Sequence, residues 1–225
     1  MSQTFSLVDS LSLGDLQVFL SRAKRVEDGS VRLIAGSGVL AVYVAVLVPT
    51  GLLDESPTVL GLRTFALTAP DSFDAVVPVR SLLERIIRLQ GEVVDPTAAV
   101  TVNLPMQVNT VTWAAISPPR GGWKALESVE GSLLESVAKS GIAEVAAAIP
   151  SGTGEQLVQR VRSEVWGQPI AGLEYVPAGA AFAGLSLGFL GGSDPVRVFE
   201  TGPWTRLTSE RGHVLVKRRA WSLQR

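Results

Sequence analysis

Three stretches of this 225-residue sequence hold residues whose types and spacing could do chemistry. The C-terminal stretch RGHVLVKRRAW, residues 211–221, contains the chain's one histidine, three adjacent cations and a tryptophan. The two others are SPPRGGW, residues 117–123, and AGSGVLA, residues 35–41. The first pattern suits an anionic partner, the second suits a carboxylate or a planar ligand, and the third fits a dinucleotide-binding fingerprint.

In the C-terminal stretch, strand alternation places His213, Lys217 and Arg219 on one face. Residues 206–225 carry six cations and one acid, so their net charge is +5, which leaves −6 for the rest of a chain whose total is −1. One interpretation is contact with nucleic acid or an acidic protein through Arg211 and these three residues. The other is protection of an edge strand against pairing with a second sheet. We favour edge protection, because nucleic-acid-binding proteins usually add a positive total charge or a recognition helix.

The stretch SPPRGGW places Arg120 and Trp123 beside two glycines. A guanidinium there could bind a carboxylate, and the indole could stack on a planar ligand. The same composition is typical of a linker whose tryptophan docks into the core, and we favour that interpretation. Because ligand sites often lie where two subdomains meet, a small-ligand binder or an enzyme at this boundary is kept as an alternative.

The two glycine-rich motifs favour turns over phosphate sites. A dinucleotide site requires a helix after AGSGVLA, but the following VLAVYVAVLV is rich in β-branched residues, so residues 35–41 are predicted to form a hairpin turn. PSGTGEQL, residues 150–157, opens a predicted helix, but no Walker lysine follows and Glu155 would repel a phosphate. We expect no cofactor.

Several familiar chemistries need residues that the chain does not have. It contains no cysteine, which excludes disulfides and thiolate nucleophiles or metal ligands. A Ser-His-Asp triad would have to use His213, which we interpret as an exposed turn residue, so no triad is predicted. The carboxylates form no H-E-x-x-H or EF-hand pattern, so no metal site is predicted. A catalytic pair of carboxylates that come together only in the folded structure is still an alternative. The sequence therefore favours a non-enzymatic protein but does not exclude an enzyme.

Composition favours a self-associating protein. Apolar residues make up 46% of the chain and charged residues only 18%, a balance that often accompanies an oligomer interface. The start MSQTFSLVDS has neither the basic residues nor the apolar run of a secretory signal, so we expect a cytoplasmic protein. The most apolar stretch, residues 175–192, contains five glycines and falls short of the ~20 residues of a membrane span, so no membrane partner is expected.

The apolar periodicity predicts the elements of the first half. Ser12 is the predicted N-cap of a helix that Gly29 stops, and Pro78 begins a second helix that ends at Gly91. Strands are predicted at 31–35, 39–49, 58–68, 98–104 and 107–116.

The second half changes character after SPPRGG, residues 117–122, where we place a subdomain boundary. The prediction is an α+β fold with mostly antiparallel pairing, divided into 1–116 and 123–225, which could share one globule. In the final hairpin, Val214 and Val216 are expected to be buried and Lys217 and Arg219 exposed, with Trp204 and Trp221 as anchors. The predicted helices are 125–139, 141–149, 155–166 and 178–190, and the hairpin strands are 196–207 and 213–221.

The element order of the first half, in which FDAVVPVRSLLERI feeds a helix and then more strands, resembles a DNA sliding-clamp domain over about a hundred residues. The resemblance is one of element order and hydrophobicity, and no diagnostic motif accompanies it. Our first hypothesis is a non-catalytic, self-associating protein that acts through protein contacts. The alternative is a nucleic-acid-associated accessory protein that uses the C-terminal hairpin together with Arg80, Arg85 and Arg88.

Overall fold

The computed structural model describes residues 3–49, 51, 54, 56–149 and 154–218. It contains helices and a mostly antiparallel sheet, which confirms the predicted α+β class. The chain forms two compact units, which consist of Met1–Ala45 with Leu62–Ser117 (unit 1) and Val46–Gly61 with Pro118–Arg225 (unit 2). The segment 46–61 therefore belongs to unit 2, although it lies within the first half of the sequence.

The elements follow in chain order. In the first half they are β1 Thr4–Leu7, α1 Ser10–Val26, β2 Ser30–Gly36, β3 Val39–Leu47, β4 Thr58–Ala66, β5 Phe73–Pro78, α2 Val79–Glu92, β6 Val100–Asn103 and a 3₁₀ turn at Thr112–Ala115. In the second half they are β7 Lys124–Ala125, β8 Val129–Glu130, α3 Gly131–Ala148, α4 Glu155–Gly167, β9 Pro169–Ile170, β10 Leu173–Pro177, α5 Ala178–Ser186, β11 Pro195–Thr201, β12 Trp204–Ser209 and β13 Gly212–Lys217. No helix among these is long and apolar enough to cross a membrane.

The sheet of unit 1 is built around β2, which pairs antiparallel with β3 on one side and β5 on the other. The β2–β3 turn uses Ser37 (φ 52°) and Gly38 (φ 77°), the backbone pattern of a tight hairpin turn. AGSGVLA is therefore the predicted hairpin turn. A separate pair, β1 with β6, joins the two ends of the unit, with Phe5 opposite Val102.

Helices α1 and α2 run antiparallel and bury their apolar stripes. The backbone amide of Val79, which starts α2, donates to Gly29 O just after α1, and the amide of Ser10, which starts α1, donates to Pro96 O just after α2. The residues buried along the two helices are Leu13, Leu16, Phe19, Leu20, Ala23, Val79, Leu82, Leu83 and Ile86.

Two predictions for unit 1 are wrong. Asp9, and not Ser12, caps α1: its carboxylate accepts the Ser12 amide at 2.7 Å, so the helix begins one turn earlier than predicted. Residues 107–116 do not form a strand. Within them Val108 bonds to Val76 of β5, but Ala114 and Ile116 bond back to Val111 and Trp113, which closes a 3₁₀ turn.

Unit 2 has an antiparallel meander of β11, β12 and β13 at its C-terminal end. The predicted strand 196–207 is wrong as a single element, since Gly202 (φ 51°) and Pro203 turn the chain between β11 and β12. The pairing across TSERG is confirmed, and Val214 and Val216 are buried as predicted. The interpretation of the hairpin cations as protection of an edge strand is wrong for β13, because this strand lies between β12 and β4 in the sheet order. Gly212 is nearly extended (φ 159°). Its lack of a side chain matters because an added Cβ would lie 2.5 Å from the Phe189 ring.

The helices of unit 2 also differ from the prediction. Residues 124–130 form the short strands β7 and β8 on β11, so the helix predicted from 125 begins at Gly131. It then continues through Gly141 as a single helix in place of two, and the ring of Trp166 packs directly on that glycine. Helix α5 is short and made of small residues, and Gly188 (φ 74°) follows its end.

Candidate functional site

Cations gather on one face of the β11–β12–β13 meander. Residues that alternate with Val198, Leu207 and Val214 form three rows across the strands, and three of them, Trp204, Thr208 and Leu215, are themselves buried. Their members, row by row, are Arg197–Thr208–His213, Phe199–Arg206–Leu215 and Thr201–Trp204–Lys217. Two aromatic rings, those of Trp123 and Phe199, lie beside Arg206. We call the surface formed by Arg197, Arg206, Lys217 and these two rings the arginine face.

Arg206 is held between two aromatic rings. Its guanidinium carbon lies 4.5 Å from the ring centroid of Trp123 and 4.5 Å from that of Phe199, which is directly opposite it on β11. The indole N–H of Trp123 donates to Pro119 O at 3.1 Å, which fixes that ring. Each cation–π contact contributes on the order of 1 kcal/mol at a half-buried site. The two rings therefore set the plane of the guanidinium.

The charged form of Arg206 is disfavoured by its surroundings. Burial, followed by the charge of Arg197, lowers the pKa of the Arg206 guanidinium. Its Nε is buried without a hydrogen-bond partner. Within the described part of the chain, no carboxylate forms a salt bridge with Arg206.

His213 lies at the end of the first row and carries little charge at neutral pH. It is half-buried on β13, not exposed at a turn as predicted, because Thr208 packs beside it and its Nδ1 lies 3.0 Å from Thr208 Oγ1. Burial, followed by the charges of Arg206 and Arg197, lowers the pKa of the imidazole. The ring is therefore a neutral hydrogen-bonding group within the row.

The other residues singled out from the sequence are separated in the structure. Lys217 is exposed on the arginine face, whereas Arg211 is exposed on the β12–β13 turn, where its guanidinium lies close to Gly191. Arg120 is exposed on the segment before β7. Trp123 uses one ring face on Arg206 and its N–H on Pro119. Arg219 and Trp221 lie outside the described residues.

Three residues of the face, Arg197, Phe199 and Arg206, were not identified from the sequence. The alternation in VRVF signals that Arg197 and Phe199 share a side. Arg206 joins them only through the β11–β12 register, and Trp123 reaches it from a distant part of the chain. The face could thus be found only after the strands were paired.

A second cationic surface lies on the helix pair of unit 1. Helices α1 and α2 carry six Lys and Arg against three Asp and Glu, a net charge of +3, whereas α3 and α5 carry one against two, a net −1. Glu27 and Asp28 follow α1 and reduce the local excess, and Asp28 pairs with Arg80 at 2.5 Å. We call the cations Lys24, Arg25, Arg85 and Arg88 the α1–α2 surface.

The sequence is similar to two families. Residues 1–105 match DUF8010 and residues 118–221 match DUF8185, each described as a domain of unknown function. Each match covers a little less than half of the chain. No curated protein matches the chain in sequence.

The fold is that of DNA polymerase sliding clamps. A putative DNA polymerase III beta subunit from Eubacterium rectale superposes with a TM-score of 0.53 at 8% identity, covering 98% of this chain and 66% of that one. The sliding clamp of Caulobacter crescentus gives 0.52 at 12% identity, with 98% and 67% covered. The beta subunit from Pseudomonas aeruginosa gives 0.51 at 11%, with 99% and 66% covered. This chain thus spans about two thirds of their length, and the likeness at such identity is one of fold.

Proposed function

We propose that this chain is an accessory protein of the sliding-clamp type that acts by binding DNA along the α1–α2 surface. The observation that carries the proposal is the net positive charge of helices α1 and α2 in unit 1. The fold that contains these helices is shared with DNA polymerase sliding clamps. This is the nucleic-acid alternative of the sequence analysis, restricted to the helix cations and without the C-terminal hairpin.

The geometry of the α1–α2 surface suits a phosphate backbone. Packed helices lie about 8–10 Å apart, so cations on adjacent outer faces can reach successive phosphates. Arg25, Arg85 and Arg88 are exposed. Such contacts are sequence-independent, and they displace condensed counterions from the DNA. Binding should therefore weaken steeply as salt rises.

The test is fluorescence anisotropy with a labelled DNA duplex of about 30 base pairs, titrated from about 50 to 200 mM salt. The variant replaces Arg25, Arg85 and Arg88 with glutamine. We expect the affinity at low salt to fall at least about tenfold. The salt slope should fall by about 2–3 units, roughly one for each phosphate that the variant no longer neutralises.

The matched control replaces three other exposed cations, Arg120, Lys139 and Arg160, with glutamine. It removes the same charge from residues outside α1 and α2, so its DNA affinity should stay close to that of the unchanged protein. Equal losses of affinity in the two variants would mean that only total charge matters. No binding by the unchanged protein at low salt would contradict the proposal outright.

Self-association is the second proposal, and it retains our first hypothesis from the sequence. The C-terminal half of α3 exposes Ile142 and a run of alanines around the single acid Glu144. An apolar helix face of this kind is typical of a subunit contact. Light scattering after size exclusion should show an oligomer that Ile142→Lys weakens. A monomer at high micromolar concentration would contradict this proposal without affecting the one on DNA.

A further inference from the structure

The three cations of the arginine face lie on one diagonal across the meander. Arg197 is in the first row on β11, Arg206 in the second on β12 and Lys217 in the third on β13. Adjacent strands are about 4.8 Å apart and two residues span about 6.8 Å, so successive Cα atoms on the diagonal are separated by about 8 Å. A short extended segment with alternate acidic residues matches this spacing to within the reach of arginine side chains.

The positive charge on this diagonal is not neutralised within the described residues. None of Arg197, Arg206 and Lys217 forms a salt bridge with another described residue. Arg206 is half-buried, and Arg197 and Lys217 are exposed. Like charges on neighbouring strands repel, and the repulsion is larger at a half-buried guanidinium than in open water. An anion bound between them would relieve it.

The surroundings of Arg206 favour an acidic peptide over a nucleic acid. Non-specific binding of single-stranded nucleic acid uses free aromatic faces on which bases stack. Here Trp123 and Phe199 each turn a ring face to the guanidinium. A planar guanidinium fixed in this way is suited to two parallel hydrogen bonds with a carboxylate. The chain's own residues 219–225 carry Arg219 and Arg225 and no acid, so their charge is of the wrong sign.

We infer that the arginine face is a docking site for an acidic segment of a partner protein, with Arg197, Arg206 and Lys217 as the contacts. Trp123 and Phe199 are positioning residues that hold the Arg206 guanidinium. Arg211 lies on the turn away from the diagonal and is not part of the site. The inference concerns a different surface from the one proposed to bind DNA, so each can fail without the other.

The probe is a labelled peptide of alternating glutamate and serine with four glutamates, and its control carries glutamine in place of glutamate. Fluorescence anisotropy at low salt should show binding of the glutamate peptide alone. Arg197→Gln should weaken it about tenfold, and Arg160→Gln, an exposed cation on α4, by less than about twofold. Because Arg197 is exposed, this variant is expected to fold, and its circular dichroism should match the unchanged protein.

Trp123 tests the positioning role. Trp123→Phe keeps an aromatic face for Arg206 and should retain most of the affinity, whereas Trp123→Leu should weaken peptide binding about threefold to tenfold. Arg206→Lys should weaken it as much, because an ammonium cannot offer the paired hydrogen bonds.

Three results would overturn the inference: equal binding of the two peptides, an Arg197→Gln affinity equal to that of the unchanged protein, or a DNA affinity that falls with Arg197→Gln. The variant that lacks Arg25, Arg85 and Arg88 should bind the peptide normally. Weaker peptide binding there would place the peptide on the helices and not on the arginine face.

Discussion

The helix pair of unit 1 and that of unit 2 are built on the same plan. In unit 1, β1 precedes α1 and pairs antiparallel with β6, which follows α2. In unit 2, β8 precedes α3 and pairs antiparallel with β11, which follows α5. The start of α3 also bonds to the segment after α5, through the Gly131 amide and Asp194 O, as the start of α1 bonds to Pro96.

The two pairs are packed with different side chains. Large residues such as Leu16, Phe19 and Ile86 fill the interior of unit 1. In unit 2 the buried positions of α3 and α5 are mostly glycine and alanine. An added Cβ at Gly131 would come within 2.8 Å of the segment after α5, and one at Gly141 within 2.8 Å of Trp166 in α4. The same backbone arrangement is thus stabilised once by bulky side chains and once by close approach.

The two helix pairs also differ in surface charge. The outer side of α1 and α2 is cationic, whereas α5 has no charged residue and α3 has few. The proposed DNA contact therefore lies on the helices of unit 1, and the proposed peptide contact lies on the sheet of unit 2. The likeness of backbone between the units does not determine which surface binds, because that depends on side chains the fold leaves free.

The largest expected effect comes from removing the last strand of unit 2. Truncation after Leu207 deletes β13 with Val214, Leu215 and Val216, all at most 3% exposed. Each contributes about 1.5–3 kcal/mol by burial, so the total is comparable with the 5–15 kcal/mol that stabilises a typical domain. Hydrogen exchange should show loss of protection throughout unit 2. An unchanged melting temperature together with loss of a partner would instead identify the segment as a functional appendage.

A pair of glycine substitutions sharpens the packing comparison. Gly141→Ala in α3 puts a Cβ 2.4 Å from the buried Trp166 ring, which stacks on Phe182, and should cost about 1–3 kcal/mol. Gly14→Ala in α1 meets nothing within 4 Å and should stabilise the helix by up to about 1 kcal/mol. Urea denaturation measures both. The same sign for the two variants would mean that the helix pairs do not differ in packing.

The sequence predicts those parts of the fold that depend on local pattern. The stripes of α1 and α2, the β2–β3 turn and the β12–β13 pairing follow from apolar spacing and glycine. The structural comparison supports, for fold, the resemblance to a sliding-clamp domain that the element order of the first half suggested. The dipeptide Gly202–Pro203 is itself a turn signal in the sequence. It separates β11 from β12, which the apolar pattern alone predicts as one strand.

The remaining features depend on contacts between distant residues. Strand β1 is only four residues long and is defined by its pairing with β6. The close packing at Gly141 of α3 involves the ring of Trp166 from another helix, a contact that local pattern does not reveal. The arginine face is formed by the strand register together with Trp123 from a distant part of the chain. The sequence therefore predicts Lys217 and Trp123 as members of two different sites and not of one.

A smaller effect distinguishes how the first helix of each unit begins. The Asp9 carboxylate caps α1, and its bond to the Ser12 amide lowers the pKa of that carboxyl. Glu130 at the start of α3 makes no side-chain cap bond. Asp9→Ala should therefore lower the melting temperature, and Glu130→Ala should have almost no effect. Because the folded-state pKa is lowered, the contribution of Asp9 is present above its ordinary pKa and should disappear as the pH falls below about 4.

The smallest expected effect is a shift in the titration of His213, the chain's one histidine. Proton NMR can follow its imidazole without assignment, and its pKa should lie below the ordinary 6.5 because of burial and the charges of Arg206 and Arg197. The neutral imidazole contributes to the free energy of unfolding in full above pH 6.5. That contribution is lost as the pH falls through the folded-state pKa of His213. Arg197→Gln should raise this pKa by removing one positive charge, and binding of the glutamate peptide should raise it by bringing negative charge to the row. Substitution of Arg25, Arg85 and Arg88 should leave it unchanged, since the charges that lower this pKa are those of Arg206 and Arg197. A pKa that responds to the helix variants but not to Arg197→Gln would contradict the assignment of Arg197 as a cause of the shift.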